Sequence, residues 1–128
     1  MAAIDQSKRR RHVLVVEDDA LVSDVVVAAL EDDFETSLVE TSTAALECLS
    51  RGGVDLVLLD CTLPDGVHAN LIPSADCSGV PVVLMSGDPQ RIQNLCAEAR
   101  PCIVKPFTLA GLLDMVHREI GRTTSIAA

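Results

Sequence analysis

Val54-Asp55-Leu56-Val57-Leu58-Leu59-Asp60-Cys61-Thr62-Leu63-Pro64-Asp65-Gly66 is the segment that decides the fold. Its apolar run suits a strand covered on both faces, the interior position of a parallel sheet. A lone carboxylate, Asp60, ends the run, and Asp65-Gly66 reads as a turn. In open α/β proteins, chemistry collects at the carboxyl ends of strands. An earlier run, His12–Val16, ends the same way in Glu17-Asp18-Asp19. If those two strands are neighbours, several carboxylates meet, and they repel one another unless a cation neutralises them. The combination points to a hard metal ion and to an aspartate that accepts a phosphoryl group.

Outward from this segment, apolar runs and helical patterns alternate. His12–Val16 reads as the first strand, and Ala20–Asp32 as a helix capped by Asp19. In that helix Leu21, Val25 and Ala29 repeat at four, as do Val22, Val26 and Leu30. Thr36–Val39 is a short strand, and Ser42–Arg51 is a helix with Ala45, Leu46 and Leu49 inward, stopped by Gly52-Gly53. Val54–Leu59 is the third strand and Val80–Met85 the fourth. Between them a short helix around Ala69–Ala75 is interrupted by Pro73. Pro89–Arg100 is a helix with Asp88 as cap and Pro at its first turn. Cys102–Val104 is a fifth strand, and Thr108–Gly121 a helix with Leu109, Leu112, Leu113, Val116 and Ile120 in one stripe. This is (βα)5, a doubly wound parallel sheet with helices on both faces. All strand carboxyl ends then share one edge, which gathers Glu17, Asp18, Asp60, Ser86 and Lys105.

Composition agrees and narrows the function. The chain has 128 residues, enough for one domain and not two. The expected plan is a flexible basic lead-in at 1–11, one domain at 12–121 and a frayed tail at 122–128. Aromatic residues are only 2% of the chain, so the core is aliphatic, and base stacking lacks its Trp and Tyr platforms. A net charge of −9 disfavours nucleic acid and anionic membranes as partners. Lys8, Arg9, Arg10 and Arg11 read as a solvated lead-in rather than a nucleic-acid arm. The apolar run after them is too short for a signal peptide, and no segment is long enough to span a membrane. Cys48, Cys61, Cys77, Cys96 and Cys102 are odd in number with no C-x-x-C, so neither a disulfide framework nor a zinc site is indicated. They read as small apolar residues in a reducing compartment, with Cys61 set apart by its neighbour Asp60. His12, His68 and His117 share no edge and take solvated or packing roles.

Val15-Val16-Glu17-Asp18-Asp19, Leu58-Leu59-Asp60-Cys61-Thr62-Leu63-Pro64-Asp65-Gly66, Leu84-Met85-Ser86-Gly87 and Val104-Lys105-Pro106-Phe107 resemble the receiver domain of bacterial two-component response regulators. The resemblance spans about residues 12 to 121. It implies a flavodoxin-like sheet of strand order 2-1-3-4-5 and a bacterial cytoplasmic phosphoacceptor domain. Asp60 would be the phosphoacceptor. Glu17, Asp18, Asp60 and the backbone carbonyl of Thr62 would hold Mg²⁺. Lys105 would pair with Asp60 before reaction and with phosphoryl oxygens after it, and Ser86 would hydrogen-bond another phosphoryl oxygen. The Lys105–Pro106 bond would be cis. Thr62, Gly87 and Asp88 stand where the phosphoryl lifetime is tuned. The implied donor is a histidine kinase or a histidine phosphotransfer protein. The output is an unidentified downstream protein that docks around the fourth and fifth strands and the helix at 89–100, with no direct nucleic acid and no membrane insertion. Beyond its own phosphoryl transfer and autodephosphorylation, no enzyme activity is implied.

Two departures stand out. Cys102 replaces the aromatic residue that in this family turns inward as the switch residue Ser86 moves. The Asp60-to-Ser86 and Ser86-to-Lys105 spacings are short, so the third and fourth helices should be trimmed or irregular. The acidic residues are intact, against an unphosphorylated pseudo-receiver. A haloacid-dehalogenase-type phosphotransferase would place its nucleophile nearer the start of the domain. Redox sensing through Cys61 or Cys102 lacks anything to lower a thiol pKa. The initial Met and short tail suggest a single-domain regulator rather than a receiver cut from a longer protein.

Overall fold

Five strands, β1 (His12–Val16), β2 (Glu35–Val39), β3 (Leu56–Asp60), β4 (Val82–Ser86) and β5 (Cys102–Val104), form one parallel sheet. Their order is β2-β1-β3-β4-β5, the order the resemblance implies. The computed structural model describes residues 10–61, 70–87 and 101–127, with side chains up to Gly121. Its helices are α1 (Ala20–Leu30), α2 (Ser42–Arg51), α3 (Leu71–Cys77) and α4 (Leu109–Ala127). The helix expected at 89–100 and its cap Asp88 lie outside the described residues, as do Thr62 and His68.

Strand side chains alternate between faces, and each face has its own core. Val13, Val15, Leu56, Leu58, Val83 and Met85 pack on Val26 and Leu30 of α1 and on Leu112, Val116 and Ile120 of α4. Leu14, Val16, Val57, Leu59 and Leu84 pack on Ala45 and Leu49 of α2 and on Leu71 and Ala75 of α3. Every residue of β3 is buried, which is the physical content of its unbroken apolar run. Leu58 has no exposed surface, so Leu58→Ala should destabilise the domain by about 2–5 kcal/mol, read by chemical denaturation.

Local chemistry explains the starts of α1 and α2 and the end of α2. Asp19 caps α1, accepting from Leu21 N at 3.0 Å and Val22 N at 3.4 Å. Thr41 caps α2 through Ala44 N at 3.1 Å, and Gly52 and Gly53 follow it with φ of 78° and 84°, left-handed values that favour glycine.

Three expectations are corrected. Pro73 does not interrupt α3: it is the third helical residue, where a backbone N–H has no intrahelical partner to lose. Gly121 does not end the last helix, which runs to Ala127, because an interior glycine costs only about 1 kcal/mol against alanine. Arg10 and Arg11, assigned to the flexible lead-in, are anchored. Arg10 donates to the Phe34 carbonyl at 2.9 Å and also to that of Glu31, at the end of α1, and Arg11 lies 3.7 Å from Asp55.

Candidate phosphoacceptor and cation site

The sheet order does what the sequence requires. β1 and β3 are neighbours, with Val16 beside Leu59, so the residues following them, Glu17 and Asp60, come together. Glu17 N donates to the Val39 carbonyl at 3.0 Å, which fixes the chain as it leaves β1. On the other side Asp60 lies beside Met85, and Cys61 N donates to the Met85 carbonyl at 2.9 Å. Oxygens of Glu17, Asp18 and Asp60 fall within 4.8 Å of one another. Glu17 and Asp60 are each 1% exposed, while Asp18 faces solvent. Asp19 is not in this cluster and serves the helix.

Lys105 enters from the far side of the sheet. Its backbone N donates to the Ser86 carbonyl at 2.9 Å, which holds the start of the loop after β5 against the end of β4. The side chain then reaches inward, with Nζ 2.9 Å from Glu17 Oε1 and 3.4 Å from Asp60 Oδ1. The expected Lys105–Asp60 contact is present, but the shorter one goes to Glu17. The Lys105–Pro106 peptide is cis.

Burial dominates the electrostatics. It pushes the Glu17 carboxyl from its ordinary 4.5 up to about 8, with help from a hydrogen bond to Asp60 and against the pull of Lys105. Burial alone would lower the Lys105 ammonium. Its hydrogen bond to Glu17 and the charge of Asp60 outweigh that and raise it, so it stays charged. Glu17 Oε2 is buried and has no hydrogen-bond partner among the described residues. An all-oxygen, carboxylate-rich set with one unmet buried oxygen fits a hard divalent cation.

Ser86 is fully buried at the end of β4, one residue past the partner of Asp60. Gly87 is exposed, and a Cβ there would meet nothing within 4 Å, so packing does not require a glycine. Cys102 is half-buried beside Leu84 and touches the α2–α3 face core. The histidines stand apart from the site: His12 Nε2 is 2.7 Å from Ser37 Oγ, and His117 lies 3.0 Å from Asp33 with its ring 4.8 Å from that of Phe34. Cys48, Cys77 and Cys102 are free thiols.

One feature escapes sequence reading. Leu21, Val22 and Val25 of α1 face Lys105, Pro106 and Phe107 across a hollow of about 440 Å³. Leu21 is 79% and Val25 46% exposed, so the stripe through Val22, Val26 and Leu30 faces the core along its length, while the other reaches it only at Ala29. A repeat of four cannot say which stripe meets the sheet.

Comparison with known proteins agrees with this geometry. The sequence matches the family model of the response regulator receiver domain over residues 13–117. It is 32% identical over 119 residues to the DNA-binding response regulator MtrA of Mycobacterium tuberculosis, covering 88% of this chain and 52% of that protein. It is 33% identical over 120 residues to the transcriptional regulatory protein CutR of Streptomyces coelicolor, covering 89% and 55%. The chain thus spans about half the length of these curated relatives. In fold it is similar to the signal receiver domain of an HD domain-containing protein from Pseudomonas fluorescens Pf-5, with a TM-score of 0.83 at 21% identity, over 99% of this chain and 96% of that one. A CheY-like receiver domain protein from Methanospirillum hungatei JF-1 gives a TM-score of 0.79 at 22% identity, over 91% and 98%.

Proposed function

The chain belongs to the response regulator receiver domain family, and from that premise we propose that Asp60 accepts a phosphoryl group in a two-component phosphorelay. The observation that carries the reading is the meeting of Glu17, Asp18 and Asp60 within 4.8 Å, with Lys105 reaching both Glu17 and Asp60. An Asp60 carboxylate oxygen attacks the donor phosphorus. The donor's P–N bond (P–O in acetyl phosphate) breaks, an acyl phosphate forms, and the leaving group takes the displaced electron pair. Lys105 balances charge on the incoming phosphoryl oxygens, and the Ser86 hydroxyl donates to one of them. Mg²⁺ held by Glu17, Asp18, Asp60 and the Thr62 carbonyl would supply further neutralisation of that charge. Hydrolysis at Asp60 returns the domain to its starting state, with the exposed Gly87 leaving water a path and Thr62 and Asp88 tuning the rate. No other catalytic turnover belongs to this reading.

Phosphorylation adds about −1.5 to −2 charge and new acceptors. Ser86 then draws on β4, which carries β5 and Cys102 with it, and the surface around β4, β5 and residues 89–100 changes for a downstream protein partner. Among the described residues no helix is long and apolar enough to cross a membrane, in keeping with a domain that works in the bacterial cytoplasm.

The donor is a histidine kinase or histidine phosphotransfer protein. Its phosphohistidine must come within bonding distance of Asp60, so its surface covers the rim of the site. Lys105 lines both that site and the hollow beside Leu21 and Phe107. Burying Leu21 there stabilises the encounter, and a charge on it opposes desolvation. Leu21→Asp should slow transfer from a phosphorylated protein donor about tenfold while leaving phosphorylation by acetyl phosphate unchanged. Equal loss with both donors would place the defect in the chemistry instead.

The test of the whole reading is incubation with acetyl phosphate and Mg²⁺ followed by intact mass measurement. One added phosphoryl group is expected. No gain with Mg²⁺ present overturns the reading in favour of a pseudo-receiver.

A further inference from the structure

β2 is the longer of the two edges of the sheet. The other edge strand, β5, has three residues, whereas β2 has five in unbroken parallel register with β1, from Glu35 beside His12 to Val39 beside Val16. No residue of β2 is buried, while β3 and β4 are buried throughout. Backbone groups along a strand alternate in direction. Glu35 N donates to the Arg11 carbonyl at 2.9 Å, and the Val39 carbonyl accepts from Glu17 N at 3.0 Å, so these positions face β1. The N–H and C=O groups of Thr36 and Leu38 therefore point away from the sheet, and among the described residues no backbone group bonds to them. Proteins guard such an edge with lysine, proline or a bulge. Glu35-Thr36-Ser37-Leu38-Val39 has none of these. Leu38 is 43% exposed on it, and Glu35 and Glu40 are exposed at its two ends. Glu31, Asp32 and Asp33 are exposed in the turn that leads into it. Arg10 and Arg11, at its foot, are engaged with the Glu31 and Phe34 carbonyls and with Asp55.

We infer that β2 is a docking edge for an extended, basic segment of another protein, which joins the five-stranded sheet as a further strand. The backbone of that segment bonds to the outward groups of Thr36 and Leu38. An apolar residue of it covers Leu38, and basic residues at its ends meet Glu35 and Glu40. A second copy of this chain is a poor occupant. Each copy carries a net charge of −9, and the pairing would bring one acidic edge against another. The contact is small, so the strand docks transiently. β2 lies across the sheet from β4 and β5, so a partner on it leaves the proposed output surface open and binds whether or not Asp60 is phosphorylated.

The test is an NMR titration of the whole chain with a short end-capped synthetic peptide, lysine at both ends and valines and threonines between. In the free protein the Thr36 and Leu38 amides should exchange with solvent quickly. The peptide should shift their resonances and slow their exchange. A peptide with glutamate in place of lysine should bind about tenfold more weakly, and Glu35→Lys/Glu40→Lys should reverse that preference. Thr36→Pro removes an N–H that faces away from β1, as an edge strand tolerates. It should weaken binding of the lysine peptide by about tenfold or more, with melting curves showing that it is folded. Should it not fold, the charge reversal decides alone. Shifts confined to other elements, no binding, an unreversed preference, or undiminished binding by folded Thr36→Pro overturns the proposal. Slow exchange at Thr36 and Leu38 in the free protein overturns it as well. In that case a dimer in sedimentation assigns the edge to a second copy, and a monomer assigns it to a segment of the chain itself.

Discussion

Asp60→Asn is expected to abolish the gain of a phosphoryl group from acetyl phosphate and Mg²⁺, read by intact mass. Asparagine keeps the shape of the side chain, so the buried end of β3 has no cavity to close. Its amide oxygen is no nucleophile at phosphorus, and the acyl phosphate cannot form. The effect is a loss of the reaction rather than a slower one, because Glu17, the nearest other carboxyl, is held as a neutral acid by burial and is no nucleophile in that form. The fold should survive. Lys105 keeps Glu17 at 2.9 Å, and a buried charge crowded by two other acidic groups is removed, so repulsion is relieved. The cation-free variant should therefore melt no lower than the wild type. A phosphoryl group still gained by a folded Asp60→Asn protein would move the acceptor elsewhere.

What could be read from the sequence follows from where the information is local. The β3 run and the two acidic strand ends are patterns of neighbouring residues, and the sheet order then brings Glu17 to Asp60 without further instruction. Lys105 was legible by its place after β5, and its preference for Glu17 was not, because that depends on which oxygen a long side chain meets across the sheet. The same limit applies to α1, whose two apolar stripes look equivalent until packing buries one and leaves Leu21 and Val25 of the other exposed. Pro73 and Gly121 were misread for a different reason. Both are breakers on average, yet the first turn of α3 needs no N–H from Pro73, and the nineteen residues of α4 run on through both Gly111 and Gly121.

Mg²⁺ affinity is expected to rise with pH, by up to about tenfold per unit between roughly pH 6 and pH 8, and to level off above that. The cause is Glu17. Burial, with the hydrogen bond to Asp60, raises its carboxyl from 4.5 to about 8 against the opposing pull of Lys105. Between those values the cation-free fold holds a proton that the unfolded chain has released. The folded state binds more protons in that window, so this group's contribution to stability is complete below about 4.5, declines as pH rises and is gone above about 8. A divalent cation needs the carboxylate, so binding expels the proton, and the expulsion costs less as pH climbs. Calorimetry in two buffers of different ionisation enthalpy should detect close to one proton released per Mg²⁺ near the low end of the window and almost none above it. Glu17→Gln removes the titrating group, and its cation-free melting temperature should lose the decline across the window. A wild-type affinity that stays flat across the window would mean that Glu17 is already ionised in the fold, held so by Lys105 against its burial.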